Sequence, residues 1–189
     1  MYSEIQRDKL RLTRASLVQI LTFHQVMPCY LDFILAFGLE SDPKSLGIGG
    51  FRGQITIHDP PRALALPAIG RSGRHFELCY NLKAVCKHSD NGKSSGSSKL
   101  LGNGKTPDDS KPKNGEWLVR QAAVYHHFDV EFGTTQWIVT TNTTDIQQKY
   151  KDLTGSDGHS KDKSFSDIRE CFVASLGAHS LFLQWATEG

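Results

Sequence analysis

The 189-residue sequence has no apolar run approaching the roughly twenty residues that a helix needs to cross a bilayer. Its longest bulky apolar stretches, Leu31–Leu39 and Leu181–Ala186, are far shorter. It has little net charge. Lys and Arg number 22 against 20 Asp and Glu, and the resulting +2 is too small to argue for nucleic acid or an acidic membrane surface as a partner. Cysteine is sparse: Cys29, Cys79, Cys86 and Cys171 form no C-x-x-C pair, and their spacing suggests neither a zinc site nor a disulfide framework. Each sits among apolar residues, as reduced thiols of a cytosolic protein do. The start, MYSEIQRDKLRLTR, lacks the apolar core and cleavage site of a secretory signal. Without one, the Asn142-Thr143-Thr144 sequon is expected to stay unused. There is no nucleophile elbow, P-loop, H-E-x-x-H or dinucleotide fingerprint, and no internal repeat.

What is present reads as one ordinary domain, with 38% hydrophobic and 22% charged residues. Its organising stretch is Glu116–Ile146, which reads as a β-hairpin. The first arm, Trp117–Val130, is apolar on both alternating faces: Leu118, Ala122, Val124, Phe128 and Val130 on one, Trp117, Val119, Ala123 and Tyr125 on the other. An arm of that kind belongs at the centre of its sheet, covered on both sides. Glu131-Phe132-Gly133-Thr134 supplies the turn, with Gly133 free to take positive φ. The second arm, Thr135–Thr141, is rich in β-branched and aromatic residues.

Around this hairpin, Asp8–Val26 reads as an amphipathic helix with Leu10, Leu17, Ile20, Leu21 and His24 on one stripe, ended by Pro28. Cys29–Phe37 is a second short helix closed by Gly38. Phe51, Gly53, Ile55 and Ile57 alternate with polar residues as a half-buried strand, and Phe76, Leu78, Tyr80, Leu82 and Ala84 mark another. Lys87–Gly115 is built from Lys, Ser, Gly, Asp, Asn and Pro; it buries too little to offset its ordering entropy and is expected to be a disordered insert. Asp145–Leu153 is a short helix. Ser164-Phe165-Ser166-Asp167 reads as the capping box of a last helix whose stripe is Phe165, Ile168, Phe172, Leu176, His179 and Leu183. Leu181, Phe182 and Trp185 add apolar surface beyond that stripe, as on a helix end that packs against a partner. The fold class is therefore α/β, a mostly antiparallel central sheet flanked by N-terminal and C-terminal helices.

Candidate sites are few. His126 and His127 are neighbours on a strand, so they point to opposite faces and cannot share one metal without a bulge. His127, Asp129 and Tyr125 do share a face, and His127 and Asp129 are the weak metal candidates, although a structural role outweighs that reading. His24 stands at a helix end, where capping carbonyls or bonding a strand residue outweighs a ligand role. Arg71, Arg74 and His75 form a small basic turn that suits an anion or simply solvent. No residue is assigned a catalytic role, and no cofactor follows from these residues.

The hairpin segment RQAAVYHHFDVEFGTTQWIV resembles the signature of the fungal CorA-like domain, the soluble cytoplasmic region preceding the membrane helices in fungal proteins classed with CorA-type magnesium transporters. LTFHQVMPCYLDFILAFG (Leu21–Gly38), GFRGQ (Gly50–Gln54) and GRSGRHFELCYNLKAV (Gly70–Val85) match the same pattern, and SLGAHSLFLQWATEG matches it more weakly. The resemblance implies a single CorA-like cytoplasmic domain over residues 1–189. In the family the last helix opens a stalk that leads toward the pore helices and packs against neighbouring subunits. Here the Gly-Met-Asn pore motif is absent. The expected function is a non-catalytic, pore-free module, regulatory or partner-binding, with weak self-association or a membrane-protein partner through the C-terminal helix. Magnesium enters by the resemblance alone. Asp32, Asp129, Glu131, Asp145, Asp152 and Asp167 are the carboxylates on offer, and no D-x-D-x-D pattern concentrates them. The alternatives are an accessory protein or enzyme of a fungal secondary-metabolite pathway, a fragment of a membrane transporter-like protein, and a decayed gene product.

Overall fold

The computed structural model describes residues 12–36, 50–87, 117–156 and 167–188. A four-stranded antiparallel sheet runs in the order β1 (Gly50–Thr56), β2 (His75–Lys87), β3 (Trp117–Asp129) and β4 (Thr135–Thr141). Helices α1 (Arg14–Phe23) and α2 (Tyr30–Leu35) precede it, and α3 (Asp145–Thr154) and α4 (Ile168–Thr187) follow. This is the α/β architecture expected from the sequence. The insert Lys87–Gly115 lies outside the described residues apart from Lys87, which closes β2.

The two faces of the sheet carry separate cores. Met27, Tyr30, Phe33 and Ile34 of the α1–α2 segment cover Cys79, Ala123 and Tyr125. Ile146 of α3 and Ala178, Phe182 and Trp185 of α4 cover Tyr80, Ala122 and Val124. Strand β3 pairs with β2 and β4 along its edges, and Gln121–Asp129 are buried without a break. Its apolar character on both faces is the cause, because each face must find a helix to leave water. Gly133 takes φ 67° in the β3–β4 turn.

Four expectations need correction. Helix α1 stops at Phe23, before Pro28: Gln25 enters the left-handed region at φ 47°, its N–H bonding Thr22 O, while Val26 N–H bonds Leu21 O. That is a Schellman end with glutamine in place of glycine. Leu17 and Leu21 pack inward as expected, but Ile20 faces out. Strand β1 is not half-buried. Phe51 and Ile55 (71% exposed) lie uncovered among the described residues.

The largest correction concerns α4. Its N-cap is Asp167, whose Oδ1 accepts from Glu170 N at 2.8 Å; Ser164–Ser166 lie outside the described residues. The face on the sheet is Cys171, Ala174, Ser175, Ala178, Phe182 and Trp185, whereas Ile168, Phe172, Leu176 and Leu183 are exposed. The sheet surface beneath is already bulky with Tyr80, Trp137 and His126, so the turns from Cys171 to Ala178 approach through small residues, while Phe182 and Trp185 fill the core at the C-terminal end of the helix. Phe182 (2% exposed) and Trp185 (0%) belong to the domain's own core and are not an association surface.

Candidate functional site

Alternation along β3 sorts its polar residues into two buried clusters, one on each face of the sheet. On the α1–α2 face stand Tyr125, His127 and Asp129, with Glu77 and His75 opposite them on β2. The Tyr125 hydroxyl donates to Glu77 Oε2 at 2.8 Å. Burial, with the Glu77 charge beside it, pushes that phenol well above its ordinary range. His127 stacks on His75 at 4.5 Å between ring centroids. Burial first, then the Arg71 and His75 charges, push His127 down to about 3, so it is neutral at pH 7. Arg71 is buried and donates to Gln136 Oε1 at 2.5 Å. It also lies close enough to His24 to lower that imidazole, although burial is the larger cause there.

The expected basic turn is thus divided. Arg71 and His75 are interior, and Arg74 alone reaches solvent, 3.9 Å from Glu131. Asp129 sits under the turn as its organiser. Oδ2 accepts Ser72 N at 2.6 Å, Oδ1 accepts Glu131 N at 3.1 Å and Phe132 N at 2.9 Å, and the Ser72 hydroxyl lies 2.9–3.0 Å from both oxygens. One carboxylate therefore fastens the loop before β2 to the β3–β4 turn. The oxygens that a metal would need are engaged by these N–H and O–H groups.

On the α4 face a single chain of hydrogen bonds crosses from sheet to helix. Tyr80 Oη and His179 Nδ1 are 2.8 Å apart, His179 Nε2 and His126 Nδ1 2.9 Å, and His126 Nε2 and Thr135 Oγ1 2.7 Å. Thr135 Oγ1 lies 3.5 Å from Ser175 Oγ, which donates to the Cys171 carbonyl at 2.9 Å. The Ser175 proton is committed, so Thr135 must donate to it. Thr135 then accepts from His126 Nε2–H, His126 Nδ1 accepts from His179 Nε2–H, and His179 Nδ1 accepts from Tyr80. Only this direction supplies a proton to every link; the reverse leaves the Thr135–Ser175 contact without one. Trp137 stacks flat on His126 at 3.8 Å. Burial above all, with His179 beside it, pushes His126 down to about 2, and burial pushes His179 down to about 4.

Neither cluster pairs a hydroxyl with an imidazole that titrates near neutral pH. Ser175 directs its proton to its own helix, and His126 beside Thr135 and His179 beyond it are depressed below the range useful to a general base at neutral pH. The carboxylates on offer for magnesium are dispersed: Asp145 bonds Arg120 and Trp185, Asp152 bonds Gln148, and Asp167 caps α4. Among the described residues no three His, Cys, Asp or Glu side chains are grouped to hold a metal ion. No described helix is long and apolar enough to cross a membrane. Sequence reading found the Tyr125–His127–Asp129 face but missed its partners Arg71, Glu77 and Gln136 and the whole Tyr80–His179–His126 chain. Those pairings span 48 to 99 residues, and no local spacing encodes them.

The chain is thus a four-stranded antiparallel meander with helices on both faces and a buried polar cluster on each. A family model for CorA-like transporters matches residues 1–189, and the chain belongs to that CorA-like family. No curated protein and no solved structure is significantly similar to it.

Proposed function

We propose that this chain is a cytoplasmic, non-catalytic, pore-free docking module related to magnesium transporter-like proteins, and that it self-associates through the outer side of α4. One observation carries the reading. From Cys171 to Thr187 the helix has no charged residue. One side of it is buried on the sheet, while Val173, Leu176 (49% exposed) and Leu183 (54%) form a second apolar stripe that no described residue covers. A helix facing only water on that side would carry charge there. The family resemblance, in which this helix leads to subunit-packing surfaces, makes a second copy of the chain the occupant. The dispersed carboxylates favour docking over binding the ion itself. The packing of Tyr125, His127 and Asp129 favours it over the enzyme alternative, since the three are at most 3% exposed and leave no room for a substrate.

A few apolar side chains on each copy, each contributing about 1.5–3 kcal/mol when fully buried, give only a weak complex after the cost of association. The test is sedimentation of the wild type against Leu176→Glu/Leu183→Glu. The wild type should rise above its monomer mass of 21.0 kDa as concentration increases. The variant should stay monomeric with an unchanged melting temperature. A wild type that is monomeric at several hundred micromolar, or a variant that associates equally well, overturns the reading.

A further inference from the structure

The loop entering α2 brings Cys29 against the sheet, where its Sγ lies 3.6 Å from Sγ of Cys79 in β2. The two thiols are 50 positions apart in the chain, and both are free. They differ in access. Cys29 is partly buried and Cys79 fully buried. Burial, and then Cys29 beside it, push the Cys79 thiol up, with Glu77 adding to the effect and Arg52 opposing it. Around the pair lies the core that holds the α1–α2 segment on the sheet, including Met27, Tyr30, Phe33 and Tyr125.

We propose that Cys29 and Cys79 form a thiol–disulfide switch that covalently staples the α1–α2 segment to β2 when a peroxide or glutathione disulfide is present. Cys29 is assigned as the attacking thiol because it is the more accessible of the two residues, Cys79 being fully buried. With hydrogen peroxide, the Cys29 thiolate takes one oxygen and the O–O bond breaks, giving a sulfenic acid and one water. Cys79 then attacks the sulfenic sulfur, the S–O bond breaks and a second water leaves. The sum is two thiols and one peroxide giving one disulfide and two waters, with two electrons passing from sulfur to oxygen. With glutathione disulfide, Cys29 displaces one glutathione and Cys79 displaces the other. Side-chain rotation must shorten the 3.6 Å contact to about 2 Å. The closed loop restricts the unfolded chain, so the oxidised protein is the more stable form.

The experiment uses the full chain, reduced and then treated with hydrogen peroxide or with a glutathione redox series. Non-reducing peptide mapping should show a Cys29–Cys79 cross-linked peptide with a mass loss of two hydrogens. The melting temperature should rise by about 5–15 °C, reversibly with dithiothreitol. Cys29→Ser should leave Cys79 unoxidised, whereas Cys79→Ser should leave Cys29 as a mixed disulfide with glutathione. A Cys86→Ser/Cys171→Ala background confines the chemistry to the pair; if that background does not fold, the wild-type peptide map decides. The proposal is overturned if the map shows glutathione or over-oxidised sulfur on Cys29 with no cross-link. It is equally overturned if Cys79 oxidises as readily in Cys29→Ser as in wild type.

Discussion

The indole N–H of Trp185 donates to Asp145 Oδ2 at 2.8 Å, tying the last turns of α4 to the first turn of α3. The same carboxylate oxygen accepts from Arg120 Nη1 at 2.8 Å, and the Arg120 guanidinium lies 5.1 Å from the centroid of the Trp185 ring. One aspartate therefore joins β3, α3 and α4. Although burial opposes its charge, bonds from Thr143, Trp185, Arg120 and the Ile146 N–H hold its carboxyl below the usual range.

Trp185→Phe keeps most of the apolar contact but removes the N–H. It should cost about 1–3 kcal/mol, since it also leaves buried polar surface poorly paired. Leu183→Ala, on the exposed side of the same helix, should change stability by less than about 0.5 kcal/mol. Urea unfolding of the two variants checks both values; equal losses would place α4 in a different orientation.

Acid should unfold the domain earlier than carboxylate titration alone requires. Burial holds His126 at about 2 and His127 at about 3, against about 6.5 in the unfolded chain. Both folded values are depressed, so the unfolded state binds more protons below pH 6.5. Stability is full above that pH and falls as pH drops toward the folded values. Between pH 6.5 and 5 each histidine removes about 2 kcal/mol, together a large share of a typical total of about 5–15 kcal/mol. Urea midpoints at pH 8, 6.5 and 5 measure this. His126→Gln should be less stable at pH 8 yet show a shallower decline; an equal slope would remove His126 from the account.

Gly133→Ala should destabilise by more than an ordinary surface substitution. Its φ of 67° is unfavourable for alanine, and an added Cβ would stand 2.7 Å from Ile168 Cγ1 and 3.1 Å from Ile168 Cα. The second distance is to backbone, so the start of α4 would have to move. Pairing the change with Ile168→Ala should recover only part of the loss, because Ile168 Cα remains; recovery to wild-type stability would assign the whole cost to the Ile168 side chain.

Much of the fold was legible locally. Strand period, β-branched content and the Glu131–Thr134 turn signal determined the β3–β4 hairpin, and apolar character on both faces of β3 determined its central place. These features depend on neighbours within a few residues. The sequence by itself also put Tyr125, His127 and Asp129 on one face and His126 on the other, since strand geometry fixes that alternation. Tertiary structure decided what each side chain meets. Spacing showed a bulky stripe on α4, but the surface awaiting its first turns was already crowded, so Cys171, Ala174, Ser175 and Ala178 went inward there, with Phe182 and Trp185 further along, and Leu176 and Leu183 went outward. The Cys29–Cys79 contact, the Arg71–Gln136 bond and the His126–His179 chain join segments 50, 65 and 53 residues apart. No periodicity spans such distances; only the packing of helices onto both faces of one sheet brings those atoms together.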